Sequence, residues 1–379
     1  MHLLNIKIKT YYFQAAALFL PIITYTPFFF TQSVNPFIRI GYFSIISLFL
    51  FFSWRRFSRQ DLYIFGLLVL FILLIGITIS SDIESILSAG NYCLIIFFGW
   101  SLFRYLSASK ARKLALISFY ETFFYIVVIF SFLSLIFLIV VGEYDLFGFK
   151  SETYSQLVTP FGVHFKRVIG DLTVYRSFFY FVEAAHLAIF YAANIIIVAP
   201  LLKDRKNKFV YLNVLGGILS FSITFYVVLF VLYAFKKIKS FFSLVIIFLS
   251  IVLILILMLS TDLLSYSSSD DRIERFLIFF ILMDQASLTQ ILFGHGILYD
   301  TGFDKAFNSG LSLSIFETGV IGTIVQLLIL WILCPSLIIF VFFMLSALVV
   351  DPIHMPIFWF LIIVSYQVLE FQKKSVKTV

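Results

Sequence analysis

Along this chain, apolar runs of about 20 residues alternate with short polar breaks, from Tyr11 almost to the C-terminus. At the 1.5 Å rise of a helix such a run is about 30 Å long, the thickness of a bilayer's hydrocarbon core. The runs predict spans over Tyr11–Phe30, Phe37–Ser53, Leu62–Ile79, Ile86–Phe103, Leu114–Val141, Val174–Ala193, Phe241–Leu259, Ser309–Leu333, Ser336–Val350 and Ile357–Glu370. Phe209–Phe235 is too long for one level span, and two glycines and two serines lie within it, so it reads as two short helices bent at Leu219–Thr224. The expected fold is all-α, a polytopic transmembrane helical bundle of about 12 membrane segments including the short bent pair. The ten-residue alternation of a transmembrane β-barrel is absent from the sequence. Two stretches are too polar for hydrocarbon, 142–175 and 260–308, and are expected as large outer loops of a single integral membrane domain, 1–379. In the second, Ile273, Phe276, Leu277, Phe280 and Ile281 recur at helical spacing, which predicts an amphipathic helix over Asp271–Asp284 lying on the membrane or roofing the bundle.

Charge sets the direction of the spans. The net charge of +7 would suit a nucleic-acid binder, but the basic residues cluster in short loops between spans, as the positive-inside rule requires. Trp54-Arg55-Arg56, Ser107–Lys113, Lys203–Lys208, Lys236–Lys239 and the Lys373–Lys377 tail are placed inside, and Asp82 and Glu84 outside. Phe209–Phe235 has basic flanks on both sides, so the bend keeps both of its ends inside. Both termini are then cytoplasmic. The composition agrees, with 62% hydrophobic residues and 51 Phe. Cys93 and Cys334 sit in apolar runs and imply no disulfide framework.

Against that background a few residues stand out. Read as a helix, Val174–Ala193 carries Arg176, Tyr180, Glu183 and Leu187 on one face, with Glu183 roughly 10 Å below Arg176. Ionisable groups in a span face the protein interior and call for a function. His186 reads as a buried partner of Glu183. Outer cations are scarce, and Arg167, Arg176, Arg272 and Arg275 fall in or beside the two outer loops, where the planar guanidinium suits a phosphate. Simple pairing with Asp171, Asp270, Asp271 and Glu274 is the alternative. His164 and His295 lie outside, where imidazole serves as a general base or phosphate donor, and Gly294-His295-Gly296 suits a backbone anion nest. The five histidines are far apart in sequence, and no nucleotide-binding loop or dinucleotide fingerprint is present. Neither a metal nor another cofactor is expected.

Three patches resemble the O-antigen polymerase and ligase superfamily of bacterial membrane glycosyltransferases. The first is Arg176-Ser-Phe-Phe-Tyr-Phe-Val-Glu183-Ala, similar to a family pattern joining an arginine to a glutamate at the top of a span. The second is Leu219-Ser-Phe-Ser222-Ile-Thr, similar to the family's bend between two short helices. The third runs from Arg272–Arg275 through Leu292-Phe-Gly294-His-Gly296 and Asn308-Ser-Gly-Leu311 to Glu317-Thr-Gly319-Val-Ile-Gly322, similar to the family's second outer loop and following span. Ligases typically carry a histidine before the asparagine, where this chain has Phe307. The resemblance implies metal-independent, inverting glycosyl transfer at the periplasmic face, joining oligosaccharide repeat units carried on undecaprenyl pyrophosphate. Arg176, Glu183 and His295 would be catalytic, and Arg167, Arg272, Arg275 and Asn308 would bind the pyrophosphate. Membrane lipid and a chain-length regulator protein are the other implied partners, and nucleic acid is not one. The rivals are a ligase that transfers glycan to lipid A-core and, from another class, a flippase for lipid-linked oligosaccharides.

Overall fold

The computed structural model describes residues 36–52, 57–78, 83–141, 156–159, 162–169, 172–179, 184–199, 206–220, 222–237, 277–297, 310–349, 358–360 and 362–367, with Tyr11, Leu202 and Glu370 singly. Within them the chain is predominantly helical. The helices are α1 (Pro36–Phe52), α2 (Arg59–Thr78), α3 (Ile83–Ser107), α4 (Lys110–Val141), α5 (Ala184–Ala193), α6 (Lys206–Leu219), α7 (Ile223–Lys237), α8 (Leu288–Phe293), α9 (Gly310–Leu333) and α10 (Leu337–Val349). Four helical segments are long and apolar enough to cross a membrane: α2, Ser85–Ser107 of α3, α4 and α9. Their sides explain why. On α4, Ile126, Ile129, Phe132, Leu133, Ile136, Ile139 and Val140 are exposed at helical spacing, a stripe that suits lipid, while Tyr120, Glu121, Ser131 and Ser134 are buried on its other side. Of the expected spans, Phe241–Leu259 and all of Tyr11–Phe30 but Tyr11 lie outside the described residues.

The helical expectation fails in one place. Gln156–Thr159, Gly162–Ile169 and Leu172–Phe179 form strands β1, β2 and β3 of an antiparallel sheet in the order β1-β2-β3. The first long loop is therefore partly a sheet, and the N-terminal part of Val174–Ala193 is strand rather than helix. Arg176 stands in β3 opposite Phe165, and α5 begins only at Ala184. The physical reason is local: Thr173, Val174, Tyr175, Phe178 and Phe179 favour a strand, and so do Val163, Val168 and Ile169 facing them. Arg176 and Leu187 thus do not share one helical face, and Glu183 lies outside the described residues.

The chain divides into two compact units. One comprises Phe37–Tyr105 and Ala234–Ile363. Here α2 runs antiparallel to both α3 and α9, because the start of α2 meets the ends of the other two. Asp61 accepts from the Trp100 indole at 2.9 Å and from Ser58 Oγ at 2.5 Å, and pairs with Arg104; Gln60 donates to the Ile332 carbonyl at 2.5 Å. Asp61 is almost completely buried, so its charge is held only because it is paired and hydrogen-bonded. Gly99 allows α3 to approach Trp359 closely, where a Cβ would lie 2.7 Å from the indole.

The other unit comprises Met1–Pro36, Leu106–Tyr233 and Val364–Val379. Helix α5 is buried throughout Leu187–Ala193 and continues into a π-helical turn, Asn194–Val198. Asn194 accepts from Tyr120 Oη at 2.6 Å and donates to Asn213 at 2.8 Å, and Asn213 donates to the Phe209 carbonyl at 2.7 Å. This polar chain ties α4, α5 and α6 together inside an apolar core. The break between α6 and α7 falls at Ser220–Ser222, within the expected bend. Its glycines serve packing: a Cβ on Gly216 would enter the Tyr191 ring and one on Gly217 would enter Phe225. Ser220 makes the turn, its N–H donating to the Gly216 carbonyl and its hydroxyl to that of Gly217.

Candidate functional site

The site is built on a break in α9. At Gly319 the backbone takes φ 69° and ψ 177°, a conformation open essentially to glycine alone. A break in a helix strands the carbonyls just before it, and carbonyls inside a low-dielectric bundle need partners. Those of Phe316 and Glu317 receive theirs from the Gly294-His295-Gly296 segment: His295 N–H donates to Phe316 O at 2.8 Å, and Gly296 N–H to Glu317 O at 3.2 Å. The fit requires glycine on both sides. A Cβ on Gly294 would collide with the Glu317 carbonyl, and one on Gly319 with the Leu292 carbonyl. Hydroxyls cover neighbouring carbonyls, Thr318 donating to Ser314 O at 2.8 Å and Thr323 to Gly319 O at 2.9 Å.

The short helix α8 delivers this clamp. Ser287 and Gln290 form a capping box at its start, and Gly294 N–H closes its end on the Gln290 carbonyl at 2.7 Å. Preceding it, 277–285 is helical, with Leu277, Phe280 and Ile281 exposed and Ile278 buried. The clamp also touches the end of α2, where Gly296 lies against the Thr78 carbonyl, and the start of α3, where Ser85 Oγ donates to Ile297 O at 3.1 Å. It therefore sits at the end of the bundle opposite the Asp61 knot.

Two side chains carry the chemistry. The half-buried His295 imidazole stacks on the Phe316 ring, with centroids 4.1 Å apart and planes 9° from parallel, and its Nδ1 lies 3.3 Å from the Phe316 carbonyl. Burial lowers its pKa below the ordinary imidazole value, partly offset by the hydrogen bond to Phe316. The ring is accordingly neutral at neutral pH, the form that accepts a proton. One residue further along, the buried Glu317 carboxylate accepts from Tyr92 Oη at 2.6 Å. Among the described residues, no three His, Cys, Asp or Glu side chains converge as a metal would need.

No protein-family model, curated protein or solved structure matches this chain. Its site therefore rests on its own geometry.

Of the expected site residues, His295 lies in the clamp. Arg167 and Arg176 lie in the sheet, Arg167 in β2 opposite Val174 and Arg176 in β3 opposite Phe165. Glu183, Arg272, Arg275 and Asn308 lie outside the described residues. The sequence reading missed Tyr92 and did not give Glu317 a role, although Glu317 stands in one of the quoted patches. It also treated Gly319 as part of a continuous span. A signal for the last existed: Gly319 stands two residues after Glu317 and three before Gly322, within an expected span.

Proposed function

We propose that this chain is a membrane-embedded glycosyltransferase that polymerises an O-antigen or similar surface polysaccharide, joining oligosaccharide repeat units carried on undecaprenyl pyrophosphate. The observation that carries the reading is the interlock of Gly294-His295-Gly296 with Glu317-Thr-Gly319. These two parts of one family-like patch are distant in sequence, and they pack on each other at one end of a set of membrane-length helices. In the topology set by the basic loops that end is periplasmic, since it holds the Thr78 and Ile83 ends of α2 and α3.

In this reading His295 takes the proton of the acceptor hydroxyl as the sugar oxygen attacks the anomeric carbon. Such a base contributes about 10²–10⁴-fold. The resemblance assigns the charge that builds on the departing pyrophosphate to Arg167, Arg176, Arg272, Arg275 and Asn308. Glu183 remains the other candidate base. The apolar sides of the helices receive the prenyl chain.

One feature favours a second reading from a different class. A helix broken beside a buried carboxylate is also how transporters build substrate and ion sites. A flippase for lipid-linked oligosaccharides would use Glu317 and Tyr92 within its path. Cells carrying His295→Gln separate the two. A polymerase defect leaves single repeat units that reach the periplasmic side and the cell surface unextended, whereas a flippase defect traps the units on the cytoplasmic leaflet. The proposal expects the first, with normal protein levels in the membrane. A normal polymer ladder, or trapped units, would contradict it.

A further inference from the structure

We propose that the break at Gly319 is a positioning device for His295: it leaves the Phe316 carbonyl at a helix end where it meets Nδ1, and this fixes the imidazole tautomer in which Nε2 receives the acceptor proton. The inference rests on the polymerase reading for its last step, and on geometry alone for the first.

A carbonyl oxygen only accepts hydrogen bonds, so a ring nitrogen bonded to one carries the hydrogen. The Nδ1 of His295 lies 3.3 Å from Phe316 O, which makes it the protonated nitrogen and leaves the lone pair of the neutral ring on Nε2. In an unbroken helix the Phe316 carbonyl would accept from the amide four residues on, in line with the axis. At Gly319 the backbone leaves that path, and the Phe316 carbonyl receives both the His295 backbone N–H, at 2.8 Å, and its Nδ1. Main chain and side chain of one histidine thus converge on one oxygen. The parallel Phe316 ring fixes the remaining rotation of the imidazole about its Cβ–Cγ bond. Glu317 and Tyr92 are the titratable side chains that α9 and α3 bring to the clamp, and they bond each other. The end of α2 contributes the Thr78 carbonyl at Gly296.

The arrangement has the logic of a base oriented by a third group, with a main-chain carbonyl standing where a carboxylate often does. The step it prepares is balanced. The acceptor O–H gives its proton to Nε2, its oxygen bonds the anomeric carbon, and the glycosidic bond to the pyrophosphate breaks with the electron pair leaving on the phosphate oxygen.

Full-length protein labelled with ¹⁵N-histidine, in detergent at neutral pH, reports the tautomer directly by nitrogen chemical shifts, with the His295 signal assigned by its loss in His295→Gln. The Nδ1–H form supports the proposal, and the Nε2–H form overturns it. Gly319→Ala tests the device: where it folds, it should give a mixture of tautomers, and retention of a pure Nδ1–H signal would overturn the role of the break. Phe316→Ala keeps the carbonyl but unstacks the ring. It should move the acid limb of the rate profile up toward the ordinary imidazole value while KM for the lipid-linked donor stays unchanged. An unmoved acid limb would overturn the positioning role. If the Nδ1–H form is found but no condition gives chain extension, the polymerase reading fails and the locked imidazole stands.

Discussion

At the scale of single residues, His295 carries the most specific chemistry. Its pKa is depressed by burial, so the neutral base persists somewhat below pH 6.5 and is lost as the pH falls through the shifted value. The sign is the same for stability: the contribution of the neutral ring to the fold is complete above the ordinary imidazole value and disappears on the acid side. Chain extension should therefore stay level from neutral pH down past 6.5 and then drop. A drop beginning above pH 7 would point to a different base. His295→Gln should lower the rate about 10²–10⁴-fold at neutral pH, and the difference should shrink as the pH falls through the shifted value. Tyr92→Phe removes one donor from a buried carboxylate with almost no change in volume, and should cost about 1–3 kcal/mol of stability, readable as a lower thermal midpoint of the purified protein. His295 was legible in the sequence because it stands between two glycines outside the apolar runs. Tyr92 was not, because one tyrosine among 20 in a Phe-rich chain carries no pattern, and only the fold shows what it faces.

At the scale of elements, the spans were legible wherever an apolar run has polar ends, as at Arg59–Thr78 and Lys110–Val141. Two elements were misread for opposite reasons. Leu172–Phe179 is apolar enough to join the run that follows it, and length outweighed its β-branched and aromatic composition. The Gly170-Asp171 pair between two such segments was the available hairpin signal. Gly319 was read through because a single glycine inside an apolar run is tolerated in a helix. The bend near Ser220 was legible from the length of the segment, its basic flanks and its glycines and serines, and the glycines turn out to make room for Tyr191 and Phe225. Its topology is open to test. Single cysteines in place of Lys206 and Lys237 should both resist an impermeant thiol reagent added outside intact cells, and labelling of either would place one end of the pair outside. The knot at the start of α2 predicts a stability effect. Arg104→Met leaves the buried Asp61 without its cation and should cost about 3–5 kcal/mol, while Asp61→Leu combined with Arg104→Met should recover most of it in the same thermal assay.

At the scale of the whole molecule, three polar clusters among the described residues do distinct jobs. The Asp61 knot fastens the ends of three helices, the Asn194–Asn213 chain fastens three others, and the clamp on Gly319 satisfies a break while presenting an imidazole. The third places a half-buried imidazole at the end of a set of membrane-length helices. A chemistry that needs only a base and cations should persist when purified protein is treated with EDTA, and loss of activity restored by a divalent ion would overturn that part of the account. The central claim is glycan polymerisation. Detergent micelles have no two compartments between which a flippase can act, so purified protein incubated there with undecaprenyl-pyrophosphate-linked repeat units alone isolates the chemistry. The account predicts products lengthened by whole repeat units with release of undecaprenyl pyrophosphate, and no need for lipid A-core. Repeat units recovered unchanged, or joined only when lipid A-core is added, would contradict it.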